Sequence, residues 1–296
     1  MGTRRISATG LMATIAAAIA MAIAFPAAKA APADANAPAP ATTTTSAATT
    51  TSPTTTTSAP AEALSAETMN ILRELEAAGD KYRTIRADLD YEVVNLTLGD
   101  SEKRTGWVAY SKGDDKTPTR FRVSFEKCKL GAGAEFKDQV DYAFDGQWLT
   151  VAKHKIKNIT LYQLAAEGQK VEPLRIGKGP FPLPFGQKAA DMVKYFIPTT
   201  RPPVESDPNG TIYLRLVTRP QYAEELPVTR MEMWIDAKTY LPVRLKSRDK
   251  NKAVTTVTFK DITTNKAVDE NFFRIPHPVG YEVVRRPLDR QGAVAP

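Results

Sequence analysis

Between residues 86 and 93 the chain alternates strictly: Arg86, Asp88, Asp90 and Glu92 are interleaved with Ala87, Leu89, Tyr91 and Val93. A period of two sends successive side chains to opposite faces, so this segment predicts an antiparallel strand with one face covered and one wet. The pattern recurs in RFRVSFE, where Phe121, Val123 and Phe125 oppose Arg120, Arg122 and Ser124. DYAFDGQWLTVA predicts two strands joined at Asp145-Gly146, a dipeptide that supplies the positive φ of a tight hairpin. NITLYQL and TIYLRLV add further strands. Met231, Met233 and Ile235 share a face before a turn at 236–240, and Leu241, Val243 and Leu245 follow it. A second turn at 248–252 leads into AVTTVTFKDI, and GYEVV is the last strand.

Two stretches break the alternation. SAETMNILRELEAAGD, residues 65–80, reads as a helix with Ser65 as cap, Met69, Leu72 and Leu75 on one face, and Gly79 as its end. Residues 177–203 hold Pro180, Pro182 and Pro184, which forbid a central strand. GQKAADMVKYF within them predicts a short helix that turns Met192, Val193 and Phe196 toward apolar surroundings. The expected fold is mainly β (α+β): a half-open, strongly curved antiparallel β-barrel of about eleven strands with short helices covering the mouth.

Composition divides the chain. Arg4 and Arg5, an apolar run from Leu11 to Ala24 and Ala28-Lys29-Ala30 predict a signal peptide over 1–30, cleaved after Ala30, and hence a periplasmic protein. Residues 31–63 are nearly all Ala, Thr, Pro and Ser, a composition that cannot bury enough apolar surface to fold, so a disordered linker is expected. The barrel domain takes 64–288, and 289–296 form a flexible tail. The net charge is +7, but the basic residues alternate with acids along the strands, so no nucleic-acid surface is expected. Cys128, the single cysteine, is either a free thiol or a half-buried strand residue.

Catalytic chemistry is sparse. Of the two histidines, His154 lies in a basic strand end that reads as a solvated face, and His277 sits between two prolines in a loop. Neither has a partner at metal-ligand spacing, and no nucleophile elbow or phosphate loop is present. Neither an enzyme nor a cofactor is expected. What remains is apolar surface. The inward set is Leu89, Tyr91 and Val93; Trp107, Phe121 and Phe125; Tyr142, Phe144 and Trp148 about the Asp-Gly hairpin; and Met231, Met233, Ile235, Leu241 and Leu245 from the long C-terminal hairpin. Phe181, Leu183, Phe185, Met192 and Phe196 are candidates for a rim or lid. Such a set serves either a dry, filled core or a cavity for an apolar ligand.

The order of these features carries a resemblance. FRVSFEK with VDYAFDGQWLTVAKHKIKNITLY, and MEMWIDAKTYLPVRLKSRDKNKAVTTVTFKDITTNKAVDENFFRIPHPVGYEVV, resemble the LolA family of periplasmic outer-membrane lipoprotein carriers and, more broadly, the LolA/LolB-like superfamily. The resemblance spans most of 65–285. It implies a monomer that binds the acyl chains of lipoprotein or lipid cargo. It also implies as partners an inner-membrane lipoprotein-releasing transporter and an outer-membrane acceptor. A sensing role similar to that of RseB-like regulators is the alternative. The family latches its lid with an Arg before a Pro on an early strand; this chain has Thr117-Pro118 there, with Lys116 beside it.

Overall fold

The computed structural model describes residues 64–166 and 187–288. The expected signal peptide, linker and tail, and the rim candidates Phe181, Leu183 and Phe185, lie outside them. Ser65 caps the first helix as expected: its Oγ accepts a hydrogen bond from the Thr68 amide at 3.1 Å. Helix α1 (Ala66–Lys81) buries Ile71, Leu72, Leu75 and Ala78 along one stripe. Gly79 does not end it. The helix runs two residues further, and the Tyr82 amide closes its last turn on the Ala78 carbonyl.

Twelve strands follow, in place of about eleven: β1 (Thr84–Asn95), β2 (Ser101–Ser111), β3 (Arg120–Leu130), β4 (Phe136–Phe144), β5 (Trp148–Lys153), β6 (Asn158–Gln163), β7 (Phe196–Arg201), β8 (Thr211–Thr218), β9 (Val228–Asp236), β10 (Pro242–Asp249), β11 (Ala253–Thr264) and β12 (Glu282–Arg286). Helix α2 (Ala189–Tyr195) precedes β7. All twelve strands form one sheet in the order β12-β6-β5-β4-β3-β2-β1-β11-β10-β9-β8-β7. Two meanders, β1 to β6 and β7 to β11, are therefore joined where β11 returns to pair with β1. The sheet curves without closing and leaves β7 and β12 as edges, which is the half-open arrangement the alternation predicts.

Two strands depart from expectation. Strand β12 pairs with β6 in parallel, not antiparallel, because the chain crosses the outer face after β11 before it reaches the edge. Strand β7 begins at Phe196, which the helical pattern had claimed, and carries Pro198. As an edge strand it has one side without a neighbour, so a missing N–H is tolerated there.

Turn chemistry fixes the registers. Asp145 Oδ1 accepts from the Gln147 and Trp148 amides at 2.9 and 2.8 Å, and Gly146 adopts φ 112°. A side chain at Gly146 would also strike Pro118. Asp236 repeats the device, accepting from the Lys238 and Thr239 amides at 3.1 and 2.8 Å. Thus the β4–β5 and β9–β10 hairpins are both locked by a carboxylate that mimics a backbone acceptor.

Candidate functional site

The inner face of the sheet, the one the helices cover, gathers most of the residues that periodicity places inward. Leu89, Phe121, Phe125, Tyr142, Phe144, Met231, Met233, Ile235, Leu241 and Leu245 are buried in one apolar cluster with Leu72 and Leu75 of α1 and with Met192 and Phe196. Cross-strand register explains the grouping. Met233 lies opposite both Leu245 and Leu214, and Leu89 lies opposite Phe259. Tyr91 packs on this cluster half-buried, with its ring 5.4 Å from that of Phe125. Val93, further along β1, is half-buried and outside the cluster.

Two residues of the set lie on the opposite face. Trp107 pairs with Asp88, whereas its neighbours Val108 and Tyr110 oppose Ala87 and Ile85 and point inward. Its indole instead meets the Phe272 ring at 5.0 Å, with the guanidinium groups of Arg86 and Arg122 within 5.5 Å. Trp148 pairs with Gln163, while Leu149 is the residue of β5 that faces Phe144. Both were expected to face inward; the strand's parity places them on the outer face.

The same parity places inward a polar cluster that the alternation conceals. Glu102 and Arg104 share the inner face of β2 with Val108 and Tyr110. Arg104 is paired with Glu102 and, at 2.9 Å, with Asp138 of β4. Cys128 lies beside them, buried, its sulfur 3.9 Å from Glu102. Burial pushes the Cys128 thiol up in pKa, and burial with the Glu102 charge pushes the Tyr91 phenol up to about 12. Neither group is set up as a nucleophile, since both are held in their neutral forms. One end of the apolar wall is thus closed by a charge cluster whose members satisfy one another.

Polar contacts among the described residues join the two helices to each other and to the sheet, where Arg219, just after β8, donates from its Nε to the Val193 carbonyl of α2 at 2.9 Å. Glu76 of α1 accepts a hydrogen bond from the Ala189 amide of α2 at 3.1 Å. Lys112, at the end of β2, donates to the Gly79 carbonyl at 3.0 Å and pairs with Asp80, holding the C-terminus of α1. A cation there also complements the negative end of the helix dipole. The Thr117-Pro118 slot itself faces a cavity of about 410 Å³ lined also by Arg120, Asp145, Gln147 and Glu270, not the helices.

On the outer face His154 is not a solvated end. Its Nε2–H donates to Asp141 at 2.7 Å, and its Nδ1 lies 2.9 Å from the Tyr281 hydroxyl. Asp141 is fully buried and also receives Arg122 at 3.2 Å and Gln139 at 3.0 Å. Arg122 in turn donates to the Phe272 carbonyl at 3.1 Å. This network ties the segment between β11 and β12 to the sheet. The sequence signal for it was the Asp141 position itself, a carboxylate inside an apolar strand.

Among the described residues no helix is long and apolar enough to cross a membrane, and no group of three or more His, Cys, Asp or Glu side chains is arranged to hold a metal ion. No family model matches the chain, and no curated protein matches it either. Solved structures similar to it include an uncharacterized conserved protein from Thermus thermophilus, at TM-score 0.44 and 12% identity over 74% of this chain and 99% of that one. MucB in the Pseudomonas aeruginosa MucA/MucB complex is similar at TM-score 0.40 and 16% identity, over 71% of this chain and 62% of that one. The lipoprotein LppX of Mycobacterium tuberculosis is similar at TM-score 0.38 and 11% identity, over 69% of this chain and 98% of that one. With likenesses at this level, the use of the inner face has to be argued from its own residues.

Proposed function

We propose that the protein is a carrier that holds the acyl chains of a lipoprotein or lipid against the inner face of its sheet and moves them across the periplasm toward the outer membrane. It acts by binding, not catalysis. The observation that supports this is the makeup of the wall: one apolar surface runs from β1 through β5 and from β8 through β11, and two helices packed on it, held to the sheet through Lys112 and Arg219, supply its cover. An acyl chain of about 15 methylenes costs on the order of 12 kcal/mol to expose to water. A carrier must replace that water with apolar side chains of its own and still give the cargo up. Met231, Met233 and Met192 suit this, because unbranched thioether side chains repack around irregular guests. Swinging α1 and α2 aside exchanges helix contacts on the wall for cargo contacts, so the cover sets the release energy.

The test is to purify the protein from its native host and identify bound molecules by mass spectrometry, then to ask whether the purified protein extracts an acylated lipoprotein from membranes. Bound acyl chains with extraction are expected. Free protein that extracts nothing would overturn the carrier role, and a stable membrane-protein partner without cargo transfer would replace it with a sensing role.

A further inference from the structure

One end of the sheet is built unlike the other. Eight large apolar side chains are exposed among the described residues, and five of them sit at three consecutive hairpin tips: Leu96 and Leu98 between β1 and β2, Leu130 and Phe136 as the last residue of β3 and the first of β4, and Ile156 between β5 and β6. Leu98 is 70% exposed and Ile156 65% exposed. The tips are joined side by side. The Gly131 amide donates to the Ser101 carbonyl at 2.8 Å, and the Lys155 ammonium lies 5.3 Å from the centre of the Phe136 ring.

Lysines crowd the same end. The alternation of charges along each strand suggested that basic residues do not cluster, but register brings them together across strands. Lys103 lies directly opposite Lys129, and Lys127 directly opposite Lys137. Like charges in facing positions destabilise a sheet unless acids offset them. Glu92 pairs with Lys103 and Glu135 with Lys127. Lys129, Lys137, Lys155 and Lys157 have no acidic partner within ion-pair distance among the described residues, and Ile156 stands between the last two.

We infer that these three tips form a docking edge for an anionic lipid bilayer surface, in which the exposed Leu, Ile and Phe side chains enter the headgroup boundary and the lysines pair with acidic headgroups. The chemistry is complementary on both counts. Scattered apolar side chains at loop tips reach only the interface, and each lysine near an anionic surface adds attraction that neutral lipid does not offer. The occupant is not fitted by a water-soluble acidic partner alone, which would use the lysines but leave Leu96, Leu98 and Ile156 wet. This edge lies outside the apolar wall, so it goes beyond cargo binding and stands or falls separately from it. It would bring a carrier to the membrane from which cargo is drawn.

The experiment is co-sedimentation of the full chain with phosphatidylglycerol-rich vesicles and with pure phosphatidylcholine vesicles, at low and high salt. Two sets of substitutions are compared in the same chain: Lys137→Glu with Lys155→Glu and Lys157→Glu, and Leu96→Ser with Leu98→Ser. Urea unfolding of each variant confirms the fold. If the lysine set does not fold, Lys155→Gln with Lys157→Gln, at a turn outside the ladder, takes its place. Salt-sensitive binding to the anionic vesicles that weakens about tenfold or more in each set is the expected result. Binding that is the same in parent and variants, or equal on both vesicle types, would overturn the proposal. So would substitutions that change the sedimentation of the protein itself while leaving vesicle binding intact, since the edge would then join copies of the chain. Binding of a free fatty acid in solution, which needs no membrane encounter, is unaffected by these substitutions, and this keeps the two proposals distinguishable.

Discussion

Glu76 and Ala189 join the two covering helices: the carboxylate of α1 accepts the first free amide of α2 at 3.1 Å. Helix α2 has only seven residues, and its cap residue Lys188 offers no side-chain acceptor, so its N-terminus depends on α1 for this bond. Replacement of an N-terminal acceptor costs about 1 kcal/mol. Glu76→Ala is therefore expected to lower the urea midpoint modestly while speeding hydrogen exchange at the Ala189 amide far more than in β3 or β9.

Lys112 holds the other end of the cover through the Gly79 carbonyl. Lys112→Met keeps the stem and removes the donor. It is expected to fray the last turn of α1 and to raise the rate at which an apolar dye enters the protein, with the sheet unchanged by circular dichroism. A dye-entry rate equal to that of the parent would show that packing and the remaining bond from Asn265 to the Lys81 carbonyl hold this end of α1 without Lys112.

The strand pattern, the Ser65 cap and the Asp145-Gly146 hairpin were legible because each is a local signal with a local cause. The inner wall was legible for the same reason, since parity along a strand needs no knowledge of its neighbours. What failed were positions placed inward against the parity of their strand, as at Trp107 and Trp148, or where the register slipped. Between Pro242 and Arg244 the β9–β10 pairing shifts, and Val243 drops out of the apolar cluster that takes Leu241 and Leu245. The Glu102–Arg104–Asp138 cluster and the facing lysines were hidden for a different reason. They depend on which residues of different strands stand opposite, and that is set by the whole sheet.

The phenol of Tyr91 ionises from 10.0 in an ordinary setting but is pushed up to about 12 here, by burial first and by Glu102 second. The folded protein therefore holds this proton more tightly than the unfolded chain does. Its contribution is fully present below pH 10 and is lost as pH rises toward 12. Urea midpoints followed across that window should fall, and Tyr91→Phe should make the fall shallower. Tyr142 is shifted in the same direction by burial, so some alkaline loss persists in the variant.

Met231 and Met233 are wholly buried in the wall between β8 and β10. Met233→Ala leaves a cavity that its neighbours Leu214 and Leu245 fill only in part, at a cost of about 2–5 kcal/mol. Met233→Leu conserves volume and is expected to cost less than about 1.5 kcal/mol. If the wall holds acyl chains, the leucine variant should keep its fold but bind a narrower range of chain lengths, because a branched side chain repacks less freely. Competition between fatty acids of graded length, measured in both proteins, checks this.

Asp141 sits at the centre of the outer-face network and accepts from His154, Arg122 and Gln139 at once. Among the described residues it is the sole carboxylate paired with Arg122, whose guanidinium is largely buried and whose Nε finds no partner there. Removing Asp141 leaves that cation buried and unpaired, which costs about 3–5 kcal/mol. Asp141→Ala should thus be among the most destabilising single changes outside the wall. His154→Ala removes a half-exposed donor and should cost much less, yet it also frees the Tyr281 hydroxyl and with it the approach to β12. The two variants separate the network's roles: limited proteolysis after residue 265 should rise in His154→Ala with little change in the urea midpoint, whereas in Asp141→Ala the midpoint itself should fall. Equal midpoints in both would mean that Arg122 is held by its Phe272 carbonyl bond and its place over Trp107, not by the carboxylate.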